Sequence, residues 1–87
     1  MRWIVDFVAS ARREFLDLPH QVQARISRKI VLLETNPVPP GAKKLRHPEA
    51  RYRLRVGDYR VLYRVLPSAR AVEIFRVSHR KDAYRNP

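Results

Sequence analysis

The 87-residue sequence contains no cysteine and only two glycines. Without cysteine the chain can form neither a disulfide nor a thiolate metal site, so the fold must rest on packing alone. No apolar run approaches the roughly 20 residues that a membrane-spanning helix needs. The N-terminal stretch MRWIVDF turns polar too early for a signal peptide. We therefore expect a cytoplasmic protein with a single domain over residues 1–87.

Acidic residues are scarce: eight Asp and Glu stand against 19 Lys and Arg, for a formal net charge of +11. The excess is uneven, because residues 1–40 carry a net charge of +2 and residues 41–87 carry +9. Ordinary surfaces intersperse both signs. Fifteen of the 19 cations are Arg, whose planar fork matches phosphate oxygens better than Lys does. The composition thus indicates a polyanionic partner, with nucleic acid as the first candidate.

The common catalytic constellations are also missing. The sequence offers no paired carboxylates, no Ser-His-Asp set with supporting spacing, no glycine-rich phosphate loop and no histidine cluster for a metal. Of the three histidines, His20 and His47 are expected to be solvated, and His79 is expected to pack at a sheet edge. We therefore expect neither a metal nor a cofactor.

The first half of the sequence predicts a short strand and two helices. Trp3–Phe7 has the character of a strand. A first helix follows from apolar residues at helical spacing (Ala11, Phe15, Leu18), with Ser10 as its predicted N-cap. Pro19 suits the first turn of a second helix, whose apolar stripe is longer. That stripe consists of Val22, Ile26, Ile30 and Leu33, and Asn36-Pro37 ends the helix.

The second half predicts a loop over residues 37–50 and then three strands at 51–56, 59–66 and 71–78. Turns at Gly57-Asp58 and Pro67-Ser68 give hairpin spacings. The predicted fold is therefore α+β, in the order β-α-α-β-β-β. A helical hairpin covers one face of a small antiparallel sheet.

Arginine dominates one side of these strands. Apolar residues alternate with a row of cations formed by Arg53, Arg55, Arg60, Arg64, Arg76 and Arg80. Like charges opposed on a sheet cost about 0.2–1 kcal/mol each, so a bound polyanion would relieve them. In the third strand the alternation directs Phe75 and Val77 toward the helices. Val72 and Ile74 break it, which predicts a central strand buried on both faces at its start.

RNA cleavage needs little machinery, since the 2′-hydroxyl can attack the adjacent phosphate when it is held in line. Cations then stabilise the pentavalent phosphate, and the leaving 5′-oxygen takes a proton. Tyr84 is the candidate to stack on a base or relay a proton. It could equally be a C-terminal anchor packed on the sheet edge.

The runs YRLRVGDYRVLYRV and VEIFRVSHRKDAYR, with the upstream pattern A-x-x-E-F-x-x-L-P, resemble the RelE/ParE superfamily of bacterial toxins. The resemblance covers nearly the whole chain. It implies the fold described above and a toxin neutralised by a cognate antitoxin in a hetero-oligomer. An apolar groove beside the helices is the predicted antitoxin site. RelE-like members cleave mRNA in the ribosomal A site, whereas ParE-like members poison DNA gyrase and lack the ribonuclease residues.

The RelE-type catalytic positions fall on Arg53, Arg55, Arg60, Arg80 and Tyr84, which favours the RelE branch. By this resemblance Arg60 and Arg80 bind the scissile phosphate, Tyr84 orients the nucleotide, and Arg53 and Arg55 steer the RNA backbone. Arg53 is also counted among the catalytic candidates. Further cations expected to contact RNA, against the alternative of a solvated basic surface, are Lys43, Lys44, Arg46 and Lys81.

One departure from RelE concerns the general base. RelE proper has Lys at the positions of Arg53 and Arg55, and Arg, with a pKa above about 12, cannot serve as a base. Either Arg53 only stabilises charge and the proton goes to Tyr84, His79 or a ribosomal group, or cleavage is slow. Two other functions stay open, a gyrase poison and a non-catalytic nucleic-acid-binding module.

Overall fold

The computed structural model describes residues 2–45 and 51–83. In chain order the elements are β1 (Ile4–Phe7), α1 (Ala9–Leu16), α2 (His20–Leu32), β2 (Lys43–Lys44), β3 (Arg51–Val56), β4 (Tyr59–Leu66), β5 (Ala71–His79) and α3 (Arg80–Ala83). The predicted bounds of β3 and β4 are confirmed, and β5 extends one residue further than predicted. None of the helices in the described ranges combines the length and the apolar character of a membrane span.

The strands form one sheet in the order β1-β5-β4-β3-β2. The predicted α+β fold is confirmed, with two additions. The short β2 lies within the predicted loop and pairs with β3. The sheet is mixed, because β1 runs parallel to β5 while the other pairs are antiparallel.

The helices cover one face of this sheet, and we call the other face the open face. Three residues of the predicted α2 stripe, Ile26, Ile30 and Leu33, are buried against the strands, and Val22 packs at their margin. Tyr63 is the largest fully buried side chain. Its hydroxyl donates a hydrogen bond of 2.8 Å to the carbonyl oxygen of Pro37. Burial, and secondarily the neighbouring Tyr52, raises the pKa of Tyr63 to about 12.

The start of α1 is set by the sheet and not by a side-chain cap. Ser10, the predicted N-cap, lies inside the first turn, so that prediction was wrong. The backbone N–H of Val8 donates to the carbonyl of Ile74, and the carbonyl of Val8 accepts from Arg12. Val8 is therefore held extended by strand pairing, and the helix can begin only after it. Pro19 stands directly before α2 in the N-cap position.

A β-bulge in β5 explains why Val72 and Ile74 break the apolar alternation. Leu62 of β4 pairs with Arg76, but the next residue, Tyr63, pairs with Ile74. Phe75 is the extra residue, so the helix-facing positions shift from Val72 and Ile74 before the bulge to Val77 after it. The prediction of burial on both faces was wrong, because Glu73 lies on the open face with its side chain 38% exposed. Phe75 also faces the open side, against the prediction. The interior position of β5, between β1 and β4, is confirmed.

Glu14 of α1 completes the hydrogen bonding of β5. The pairing of β1 with β5 stops at Phe7 and Ile74, which leaves Val77 beyond the end of β1. The carboxylate Oε1 of Glu14 accepts a 2.8 Å hydrogen bond from the backbone N–H of Val77. A partly buried N–H without a partner would cost about 1–3 kcal/mol, so Glu14 is a structural residue of this fold.

Candidate functional site

The arginines of the open face lie in three cross-strand rows. Each row contains one residue from β3, one from β4 and one from β5, directly opposite each other. The rows are Arg51–Arg64–Glu73, Arg53–Leu62–Arg76 and Arg55–Arg60–Ser78. The predicted arginines of β3, β4 and β5 therefore do share one face of the sheet, but the residues around them differ from one end of that face to the other.

At the end far from the β3–β4 turn, the cations are compensated. The guanidinium carbons of Arg51 and Arg64 lie 4.8 Å and 5.6 Å from the centre of the Phe75 ring. Arg64 Nε also lies 2.9 Å from Glu73 Oε1, although the N–H is not aligned for a hydrogen bond. We call these four residues the stacked end. Their contacts are internal to the protein and give them a structural role.

The middle row contains the predicted catalytic residue Arg53. Its position opposite Leu62 separates it from the pocket described below, whose lining does not include it. Lys43 of β2 pairs with Arg53 and shares its face, whereas Lys44 pairs with Tyr52 on the helix side. The structure therefore brings Lys43 and Arg53 together at one sheet edge and directs Lys44 away from them.

The third row opens into a pocket of about 180 Å3 next to the β3–β4 turn. Three of the predicted site residues line it together: Arg55, Arg60 and Arg80. We call these three residues the pocket end. Arg55 and Arg60 meet because the turn places them opposite each other on adjacent strands. The sequence pattern predicts that Arg80 continues the alternation of the last strand. In the structure it instead begins α3, directly after β5.

Asp58 holds Arg80 at this pocket. The backbone N–H of Arg80 donates a 2.7 Å hydrogen bond to the carbonyl oxygen of Asp58. The two side chains are farther apart, with Arg80 Nη1 at 3.9 Å from Asp58 Oδ1, and about two-thirds of each is exposed. An exposed pair at this distance is worth little, so the guanidinium can turn to an incoming anion at small cost.

The turn itself depends on Gly57. Its φ of +60° followed by Asp58 at negative φ fits a type II′ hairpin turn, which takes glycine at its first central position. A Cβ at Gly57 would lie 2.7 Å from Nη2 of Arg25 on α2. Glycine therefore permits both the backbone conformation and the close approach of a guanidinium group to the turn.

The remaining predicted residues lie outside the pocket. His79 packs as predicted, with its ring edge-on to Tyr59 at 5.0 Å, and its Nδ1 accepts a 3.2 Å hydrogen bond from the backbone N–H of Lys81. Lys81 is exposed. Arg46 and Tyr84 lie outside the described residues, as does most of the segment around His47.

Sequence reasoning missed two lining residues, Asp58 and Tyr59. Tyr59 stands at an apolar position of its strand, and Asp58 belongs to the predicted Gly57-Asp58 turn. Their place in a tight turn between Arg55 and Arg60 is the signal that would have identified them. Within residues 2–45 and 51–83, no group of three His, Asp or Glu side chains is arranged as metal ligands.

The pocket presents three cationic donors and one exposed carboxylate on a rigid hairpin, an arrangement suited to binding a phosphate. Residues 5–84 match the sequence model of a family described as the ParE toxin of the type II toxin–antitoxin system parDE. The chain belongs to the RelE/ParE superfamily of toxins. The resemblance noted in the sequence is thereby confirmed.

Two curated relatives of this toxin are themselves named as toxins, RelE1 and RelG. It is 33% identical to the putative toxin RelE1 of Methanocaldococcus jannaschii, with all of both chains covered. It is 34% identical to toxin RelG of Mycobacterium tuberculosis, over 98% of this chain and 99% of the relative. In structure it is similar to the RelBE2 toxin–antitoxin complex of M. tuberculosis, with a TM-score of 0.80, 31% identity and coverage of 91% of this chain and 99% of that one. The toxin is RelE-like in structure.

Proposed function

We propose that the toxin is a ribosome-dependent endoribonuclease that cleaves mRNA in the A site and so inhibits translation. The observation that carries this proposal is the convergence of Arg55, Arg60 and Arg80 on one pocket of about 180 Å3. A gyrase poison needs no such phosphate site. The RelE-like fold and the name of the relative RelE1 support the same branch of the superfamily.

In the proposed reaction the 2′-oxygen forms a bond to the adjacent phosphorus while the bond from phosphorus to the 5′-oxygen breaks. The products are a 2′,3′-cyclic phosphate and a free 5′-hydroxyl. Arg60 and Arg80 stabilise the charge that builds up on the phosphoryl oxygens, and Arg55 orients the strand. Guanidinium groups cannot accept the 2′-hydroxyl proton, so it passes to Tyr84, His79 or a ribosomal group, and the leaving 5′-oxygen takes its proton through Arg80.

The cations outside the pocket take binding roles in this proposal. Arg53, together with Lys43 at the same sheet edge, steers the RNA backbone and does not act on the scissile phosphate. Lys44, Arg46 and Lys81 contact ribosomal RNA. Tyr84 stacks on the substrate nucleotide.

A cognate antitoxin is the proposed protein partner, in a hetero-oligomer formed in the cytoplasm. The M. tuberculosis structure to which the toxin is similar is itself a toxin–antitoxin complex. The two helices expose large apolar side chains at Leu16, Val31 and Leu32, each more than half exposed. Exposed apolar side chains of this kind suit an amphipathic segment of an antitoxin.

Primer extension on a defined mRNA tests the nuclease. Purified toxin is added to ribosomes programmed with that mRNA, and to the same mRNA without ribosomes. Cuts in the A-site codon that require ribosomes support the proposal, and Arg80→Ala should abolish them while the thermal melt stays unchanged. Tyr84→Phe should reduce them. Intact mRNA with a toxin that still arrests growth would overturn it.

Inhibition of DNA gyrase is the second candidate function. One observation favours it: the family model that matches the chain is described as a ParE toxin. Inhibition of DNA gyrase would then explain the toxicity. Supercoiling of relaxed plasmid by purified gyrase, with and without the toxin, decides this directly. If Arg80→Ala still inhibits supercoiling, gyrase is favoured as the target, since the pocket would then have no part in the inhibition.

A further inference from the structure

A second groove lies beside the pocket, between α2 and the β3–β4 turn. Its volume is about 460 Å3. Four cations line it, three on exposed positions of α2 and one at the end of β3: Arg25, Arg28, Lys29 and Arg55. We call these four residues the groove cations. The rest of its lining is Leu32, Val56 and Gly57.

Among the residues that the structure describes, the groove cations have no ion-pair partner. Four other arginines lie 3.9 Å or less from a carboxylate oxygen: Arg2, Arg12, Arg64 and Arg80. Within residues 2–45 and 51–83, none of the groove cations forms an ion pair. The sequence of α2, HQVQARISRKIVL, contains no acidic residue that could supply one. In the described part of the chain, this surface therefore carries four exposed positive charges that are not neutralised by an ion pair.

The groove is continuous with the pocket. Arg55 and Gly57 line both of them, so Arg55 stands where one opens into the other. Because Gly57 has no side chain, the guanidinium of Arg25 comes down onto the turn, where a Cβ would lie 2.7 Å from its Nη2. A strand held at the pocket can thus continue past Arg55 onto α2, which itself contains no acidic residue.

We propose that this groove binds the phosphate backbone of the RNA segment next to the one held in the pocket. The inference rests on the proposed function and extends it by naming a second subsite for the same strand. RNA fits better than an apolar protein segment, because this groove exposes only Leu32 among its apolar residues while four cations line it. Arginine forks on a helix face are suited to phosphate oxygens.

The test compares two variants with the same loss of charge. The groove variant carries Arg25→Gln, Arg28→Gln and Lys29→Gln. The control variant carries Arg2→Gln, Arg12→Gln and Arg13→Gln. These three arginines are exposed. Arg2 precedes β1 and the other two lie on α1, toward the sheet edge opposite the groove. The probes are a 2′-O-methyl RNA dodecamer, which cannot be cleaved, and a 2′-O-methyl trinucleotide. At roughly 3.4 Å per nucleotide the dodecamer exceeds the 32 Å length of the molecule.

The groove variant should bind the dodecamer about tenfold or more weakly than the wild type at low salt. The slope of log K against log salt concentration should fall by about 2, at about 0.7 for each lost phosphate contact. Trinucleotide binding should not change, since the trinucleotide fills only the pocket. The control variant should bind both probes like the wild type, and thermal melts should show that both variants are folded.

Equal dodecamer affinity in the groove and control variants would overturn the inference. So would a groove variant that keeps RNA binding but loses its antitoxin, since the groove would then belong to a protein interface. Arg60→Gln separates this result from a failure of the proposed function. If Arg60→Gln leaves both probes bound as in the wild type, the pocket assignment fails, while the groove is still judged by its own variant.

Discussion

The two ends of the open face contain the same residue type in different surroundings. At the stacked end, Arg51 and Arg64 lie over the Phe75 ring, and Arg64 lies 2.9 Å from a Glu73 oxygen. At the pocket end, Arg55, Arg60 and Arg80 line a cavity, and the ion pair of Arg80 with Asp58 spans 3.9 Å between exposed side chains. A row of arginines in a sequence therefore need not have one purpose. Here one end stabilises the sheet and the other end is available to a ligand.

Arg60 and Arg64 allow the sharpest test of this difference, because both are half-buried arginines of β4 on the same face. Arg60→Gln should lower the rate of mRNA cleavage by about a hundredfold or more, as loss of a transition-state donor does. Arg64→Gln should keep cleavage within a few-fold of the wild type and lower the free energy of unfolding by about 1 kcal/mol. Cleavage kinetics and urea titrations on both variants measure the two quantities. Equal loss of activity in both variants would remove the distinction between the two ends.

Gly57→Ala tests the turn that builds the pocket end. A φ of +60° costs a non-glycine residue about 1–2 kcal/mol, and the new Cβ must also displace the Arg25 guanidinium. We expect lower stability and weaker binding of the RNA dodecamer. Gly41→Ala is the matched control, since Gly41 also has positive φ but a Cβ there would meet nothing within 4 Å. It should lower stability without changing RNA binding. Unchanged RNA binding in both variants would show that Arg25 has no part in it.

Tyr63→Phe probes the inner side of the stacked end, where Tyr63 stacks on Tyr52 with ring centres 5.7 Å apart. Loss of the hydrogen bond to Pro37 should lower the free energy of unfolding by about 1 kcal/mol at neutral pH. Cleavage activity should be retained, because the hydroxyl lies on the face opposite the pocket.

Tyr63 also makes the stability of the wild-type protein depend on pH, and the same variant tests this. The Tyr63 pKa is about 12 in the folded protein and 10.0 in the reference state, so the unfolded chain loses this proton first as pH rises. Wild-type stability should therefore fall above pH 10, by at most about 1.4 kcal/mol per pH unit from this group. Tyr63→Phe lacks this contribution. Urea titrations on either side of pH 10 should show the gap between the two proteins narrowing, and a gap that widens would contradict the burial of the phenol.

The smallest expected effect separates the two carboxylates of the open face. Glu73→Gln should lower the free energy of unfolding by about 0.5 kcal/mol at low salt, and about 1 M salt should abolish the difference. Asp58→Asn should not measurably change stability, because its pair with Arg80 is longer and more exposed. Salt-dependent thermal melts of both variants check this. A larger loss in Asp58→Asn would mean that the pocket end, too, is held together by its charges.

Much of this fold could be predicted from the sequence because its determinants are local. The bounds of β3 and β4 follow from strict alternation around Gly57, whose turn type fixes the pairing of Arg55 with Arg60. The stripe of α2 likewise identifies its buried face. These features depend on residues close together in sequence, where periodicity and turn chemistry suffice.

The errors have causes that lie far away in the sequence. The bulge at Phe75 depends on pairing with β4, and the N–H of Val77 beyond it is satisfied by Glu14 from another element. The start of α1 depends on Val8 pairing with Ile74. For the candidate site, the sequence identified Arg55, Arg60 and Arg80. It could not show that Arg53 lies outside their pocket, because both assignments satisfy the same alternation.

The parallel pairing of β1 with β5 has a consequence for synthesis of the toxin. Ile4 finds its partner only when Ala71 has emerged, which takes several seconds at about 5–20 residues per second. Arg80, which begins α3 directly after that strand, emerges later still. A nascent chain therefore has neither a paired β1 nor a complete pocket until most of its residues have been made.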